Sequence, residues 1–123
     1  MKIIEAINRI DAVKPNNYTQ DEKIEWLSRL DWAIKREIVD THEDADAVIF
    51  DGYNDSTPLE TELIAPAPYD EVYLKWLEAQ IDYANGEIGK YNNSNHVYEA
   101  VYTAFESWYN RNHVPIGQKF KYF

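Results

Sequence analysis

The sequence predicts an all-α fold: a small bundle of four main helices, with a long acidic loop between the second and the third. Three observations carry that expectation. Apolar residues recur at three- and four-residue spacing through four segments. Proline, asparagine and cap residues punctuate the gaps between those segments. The last segment has an aromatic face wider than any other. With 123 residues, 45% hydrophobic and 28% charged, the expected organisation is one globular domain over residues 1–123, in which 113–123 form a flexible or docking tail.

The first helix is expected over residues 2–13, where Ile3, Ile7 and Ile10 share a face. Pro15-Asn16-Asn17 stops it, because Pro15 biases Lys14 away from helical geometry. Thr19 and Glu22 then have the spacing of a capping box. The helix behind them should reach residue 39, with Ile24, Leu27, Leu30, Ile34 and Ile38 in one stripe. Trp32 falls off that stripe, on a face with Glu25, Arg29 and Arg36. Two readings stand at this point. The ring lies over arginine stems or under the following loop, or it anchors a partner together with Arg36, since interfaces are enriched in Trp and Arg.

The third helix is expected to begin near Pro68-Tyr69-Asp70, where Asp70 and Glu71 complement the helix dipole. Val72, Tyr73, Trp76, Leu77, Ile81, Ala84 and Ile88 keep helical spacing. Asn85-Gly86 offers a stop, but Ile88 and Tyr91 continue the stripe. The expectation is therefore a helix that passes Gly86 and ends near Lys90, followed by Asn92-Asn93-Ser94 as turn and cap. A fourth helix over residues 95–111 carries Val97, Val101, Ala104 and Trp108 in one stripe and Tyr98, Tyr102, Phe105 and Tyr109 in the next. Together they span about 200° of the circumference, twice the usual apolar stripe. Such a helix needs cover on two sides, from its own chain or from a neighbouring subunit, so Tyr98, Tyr102 and Tyr109 are candidate interface residues.

Charge is unevenly placed. The formal net charge is −10, and no Lys or Arg lies between Arg36 and Lys75, a gap that holds eleven acids. Within it lie Asp44, Asp46, Asp51 and Asp55. After Glu106 there is no acid, only Arg111, Lys119 and Lys121 among charged side chains. Specific nucleic-acid binding through a basic surface is not expected, because phosphate contacts need clustered cations. The acidic stretch is a solvated loop, a surface that repels DNA, or a receiver of a basic partner. Inside it, Val48-Ile49-Phe50 reads as a short strand or a turn of helix, and the form of residues 44–57 stays open.

Several chemistries lack their residues. The absence of cysteine excludes disulfides, thiolate metal sites and cysteine nucleophiles, and it fits a reducing compartment. No apolar run approaches the roughly 18 residues of a membrane span, and no signal-peptide pattern opens the chain, so an intracellular protein without a membrane partner is expected. Gly52, Gly86, Gly89 and Gly117 form no phosphate loop, and His42, His96 and His113 are scattered. His96 and Glu99 have a spacing that can hold metal, although such a pair is more often an exposed contact. A calcium loop over residues 51–62 fails at Tyr53 and Ser56. Glu22 and Glu25, followed by Glu43 and Asp46, have the look of the magnesium-binding acids of all-α nucleotide pyrophosphatases. The second pair falls in a loop with no nearby cation for a triphosphate. No catalytic residue, cofactor or metal is expected.

The run PYDEVYLKWLEAQIDYANGEIGKYNNSNHVYEAVYTAFESWYNR, the preceding TELIAPAPYD and the earlier IDAVKPNNYTQDEKIEWLSRLDWAIKREI together resemble the head–tail connector (adaptor, or head-completion) proteins of tailed bacteriophages. The likeness covers most of the chain apart from residues 44–57 and the last ten. It implies a phage or prophage virion structural protein. Such subunits assemble as a ring below the portal, extend the DNA channel and receive the next neck or tail-completion component. The implied partners are the chain's own copies, the portal protein and that neck component; the implied location is the host bacterial cytoplasm and then the virion neck. No catalytic residue carries over, and a DNA channel makes Asp44, Asp46, Asp51 and Asp55 candidates to face that channel or a neighbouring subunit. The tail, where Lys119, Phe120, Lys121, Tyr122 and Phe123 alternate charge with aromatics, adds as a strand to a partner's sheet edge, folds back on its own helices or is disordered. The alternative is an acidic binding module that mimics DNA, with the pyrophosphatase behind it.

Overall fold

The computed structural model describes residues 1–117. Among them the chain is all-α, with four helices: α1 (Ile3–Val13), α2 (Gln20–Glu37), α3 (Glu71–Ala84) and α4 (Ile88–Asn112). Short 3-10 turns occupy Val39–Thr41 and Ala45–Ala47. The helices run alternately up and down. The packed interior draws on Ile3, Ile7 and Ile10 of α1, the expected stripe of α2, Val72, Tyr73, Leu77 and Ile81 of α3, and Phe105 and Tyr109 of α4. None of these helices is long and apolar enough to cross a membrane.

The helix starts follow local chemistry. Thr19 Oγ1 accepts the Glu22 backbone N–H at 3.1 Å, half of the capping box read from the sequence. At α1, Glu5 reaches back to the Lys2 N–H at 3.1 Å. Two more free donors of that first turn, Ile3 and Ile4 N–H, go to the carbonyls of Thr61 and Leu59, each at 3.0 Å. The distant loop thereby finishes the start of α1.

The expected boundary between the third and fourth helices is corrected. α3 ends at Ala84, and α4 begins at Ile88. Gly86 takes φ 73°, its N–H bonds the Tyr83 carbonyl at 3.0 Å, and the Glu87 N–H bonds the Asp82 carbonyl at 3.1 Å. These two closing bonds form a Schellman motif, which left-handed glycine favours. They outweigh the burial that Ile88 would have gained; it is 60% exposed. Asn92-Asn93-Ser94 is consequently not a turn but helix interior, where Ser94 Oγ donates back to the Lys90 carbonyl at 3.0 Å.

α3 and α4 form an antiparallel hairpin with an aromatic pair every seven residues. Tyr83 meets Tyr91 at 5.2 Å between ring centroids, Trp76 meets Tyr98 at 5.0 Å, and Tyr69, just before α3, meets Phe105 at 6.1 Å. A seven-residue step on both helices is the register of a left-handed pair. α3 is central, approached by α1, α2 and α4, whereas the backbone of α4 runs beside α3 alone among the helices. The last two turns of α4 overhang α3. Tyr69 stacks on Trp108 at 5.0 Å and His42 meets Tyr109 edge-on at 4.9 Å, so loop residues cover that overhang.

Candidate functional site

The segment between α2 and α3 is tied down from inside the bundle. Asp31, fully buried on α2, accepts the Tyr53 hydroxyl at 2.5 Å, the Tyr73 hydroxyl at 2.6 Å and the Ile64 N–H at 3.2 Å. Tyr73 in turn accepts the Ala65 N–H at 2.7 Å. Burial raises the Asp31 carboxyl, the three hydrogen bonds oppose the rise, and the balance is about 6. Burial and then the Asp31 charge hold the Tyr73 hydroxyl well above its ordinary range. Ser28 Oγ adds a bond from the Tyr53 N–H at 3.0 Å. Sequence reasoning missed this centre, yet a signal existed. Asp31 sits seven residues after Ile24 and seven before Ile38, in the middle of an apolar stripe, and a carboxylate there must find partners.

Trp32 lies beneath that segment. Its indole is half-buried, with Phe50 edge-on at 4.8 Å and the Arg36 guanidinium 4.9 Å from the ring centre. Gly52, at φ 87°, brings its backbone so close that a Cβ would stand 3.2 Å from the indole nitrogen. Of the two readings of Trp32, the covered ring is the one observed within this chain; Arg36 remains exposed. Val48-Ile49-Phe50 is neither strand nor helix. Val48 and Phe50 turn inward and Ile49 outward, at 94% exposure.

α4 shows its two stripes to different surroundings. Phe105 is fully buried, and Tyr109, a candidate interface residue, is 5% exposed and therefore packed inside its own chain. Tyr98 and Tyr102 are half-buried. Tyr102 donates to Glu37 of α2 at 2.7 Å, and burial followed by that bond raises its hydroxyl. The other stripe is poorly covered: Val97 is 44% exposed, Ala104 is exposed, and Val101 and Trp108 are half-buried.

A cleft of about 350 Å³ opens where α1, α3 and α4 diverge. Lys14, Lys75 and Lys90 line it, with Glu78, Ser94, Val97 and the side chain of Asp82. Asp82 is 2% exposed and pairs with Lys14 Nζ at 2.6 Å. An apolar groove of about 280 Å³ continues along α1 and α3, over Ile10, Val13 and Leu74.

The remaining candidates fall apart or pair locally. Glu22 and Glu25 lie in the first turns of α2, while Ala45, between Glu43 and Asp46, accepts from Lys35 near its other end; the ten residues from Glu25 to Lys35 span about 15 Å of helix. His96 is exposed, Glu99 accepts from Asn95 at 3.2 Å, and among the described residues no three His, Asp or Glu side chains converge as a metal site. Asp44 pairs with His113 at 2.5 Å, a bond that holds its carboxyl below the usual range; Asp46, Asp51 and Asp55 are exposed. The start of the tail folds back on its own chain. Val114 accepts the Glu43 N–H at 2.8 Å, Ile116 N–H donates to Thr41 at 2.9 Å, and His113 stacks on Tyr109 at 3.7 Å. Lys119, Phe120, Lys121, Tyr122 and Phe123 lie outside the described residues. Compared with known proteins, the chain matches no family model, no curated protein and no solved structure.

Proposed function

We propose that this chain is a non-enzymatic assembly subunit of the head–tail connector type, a virion or prophage structural protein that joins a portal to the neck and extends the DNA channel. The observation that carries the reading is the second stripe of α4. Along it Val97 and Ala104 are exposed and Val101 and Trp108 half-buried, whereas the other stripe holds the buried Phe105 and Tyr109, and a partly open apolar stripe on a helix suits a protein-binding surface. The exposed acids Asp46, Asp51 and Asp55 suit a wall past which DNA slides without adhering. Its partners are its own copies in a ring, the portal protein and a neck or tail-completion protein. Its place is the host cytoplasm during assembly and the virion neck afterwards.

Light scattering coupled to gel filtration tests this, with the protein alone and mixed with the portal protein of its own phage or prophage. The expected result is a ring-sized complex on the portal, lost when Val97 and Ala104 are both changed to Glu while the helical circular dichroism is kept. A one-to-one complex with a DNA-binding enzyme, and none with the portal, would favour the DNA mimic. Magnesium-dependent nucleotide turnover would overturn the non-enzymatic reading.

A further inference from the structure

The sequence contains a single Asn-Gly pair, Asn85-Gly86, and the fold sets it on the exposed turn that joins α3 to α4. Such a pair carries its own reaction. The glycine nitrogen can attack the side-chain carbonyl carbon of the asparagine, because no Cβ on the glycine obstructs the ring that forms. Gly86 has open space there: an added Cβ would meet nothing within 4 Å. The related pair Asp51-Gly52 is placed differently. It lies against Trp32, and a Cβ on Gly52 would stand 3.2 Å from the indole nitrogen.

Two contacts restrain Asn85-Gly86 in the folded chain. The nucleophile is the Gly86 nitrogen after loss of its proton, and that N–H is bonded to the Tyr83 carbonyl at 3.0 Å. The electrophile is the Asn85 carboxamide, whose Oδ1 accepts the Tyr18 hydroxyl at 2.6 Å. Tyr18 is itself fixed, edge-on to Trp26 at 5.4 Å between ring centroids. A reaction that needs the first bond broken and the carboxamide free to turn proceeds at the pace of local opening of the turn.

We propose that Asn85 is a site of self-deamidation, held in check by the Gly86–Tyr83 bond and by the Tyr18 hydroxyl. The Gly86 nitrogen bonds to Asn85 Cγ, the bond from Cγ to the side-chain nitrogen breaks, and ammonia leaves with the proton that the backbone nitrogen gave up. Water then opens the cyclic imide at either carbonyl, which returns a hydrogen to the Gly86 nitrogen and leaves aspartate or isoaspartate. Either product adds a carboxylate close to Glu87, on a hairpin tip where Tyr83 is already 63% exposed. Isoaspartate also adds a carbon to the main chain. That shifts the Gly86 and Glu87 N–H groups out of register with the Tyr83 and Asp82 carbonyls that close the turn. The site is independent of the assembly role.

Mass spectrometry of the full chain, kept folded at mildly alkaline pH and then cut with trypsin, tests the inference. The fragment 76–90, released by cleavage after Lys75 and Lys90, holds Asn85 as its only asparagine. The expected result is conversion of Asn85 before any other asparagine of the chain, several-fold more slowly than in the free peptide 76–90. Tyr18→Phe should raise the rate in the folded chain several-fold while the helical circular dichroism is kept. Asn85 left intact in wild type and Tyr18→Phe alike, once the free peptide has reacted to completion, would overturn the site. A wild-type rate equal to that of the peptide would overturn the check exerted by the fold, and an unchanged rate in Tyr18→Phe would remove Tyr18 from it.

Discussion

The segment between α2 and α3 and the helix α4 reverse the usual link between regular structure and burial. The segment has two short 3-10 turns and no long element, yet Asp31, Ser28 and Trp32 fasten it to the bundle. α4 is the longest element, at 25 residues, yet only Ser94, Phe105 and Tyr109 along it are buried. Backbone regularity comes from local hydrogen bonding, whereas attachment comes from side chains that reach the interior. Buried Asp31 and Ser28 with half-buried Trp32 thus fix a segment that regular backbone hydrogen bonding does not.

Removing the anchor on each side is the strongest way to break that contrast. Phe105→Ala deletes the fully buried ring that seats α4 and should cost about 4 kcal/mol in urea unfolding, with the loss of a buried aromatic as its cause. α4 should loosen first, seen as faster hydrogen exchange there than in α2. Asp31→Ala strands the buried Tyr73 hydroxyl and two half-buried donors, the Tyr53 hydroxyl and the Ile64 N–H, and should cost about 3 kcal/mol. Its exchange should rise in residues 49–65 and leave α4 protected. Equal loosening of both regions in either variant would erase the distinction.

A smaller effect sharpens it. The folded Asp31 carboxyl sits at about 6, above its ordinary value of 3.8, so the folded state holds this proton more tightly than the unfolded chain does. Its contribution to stability therefore grows as pH falls through 6 and is lost as pH rises through it. Between pH 7 and pH 5 the gain should be about 1 kcal/mol. Asp31→Asn, which carries no titrating group, isolates this contribution from the relief of the chain's general negative charge. An identical pH response in wild type and Asp31→Asn would show that Asp31 does not titrate in this range.

Much of the fold is legible in the sequence. The stripe of α2, its Thr19 cap and the stop after α1 are local patterns, and local patterns survive folding. The end of α3 was misread because Ile88 and Tyr91 continue its period. Periodicity records which residues could share a face, not whether the chain reverses between them. Gly86 reverses it, and Tyr91 then returns to Tyr83 from the opposite helix. The candidate surfaces were partly legible: the wide face of α4 was evident, but the division into a packed and an open stripe depends on where α3 lies. Tyr109 shows the limit, since an aromatic on a wide face reads the same whether a loop or a neighbour covers it.

Residue type and spacing along the chain dictate the helical class, the acidic stretch without cations and the lack of thiols. Folding in three dimensions settles that Asp31 gathers the loop, that Phe50 and Gly52 lie against Trp32, that Ile49 protrudes and that a groove opens between α1 and α3. Those outcomes depend on contacts between residues far apart in the chain, and no local period encodes which of two apolar surfaces will be buried and which will be left facing outward.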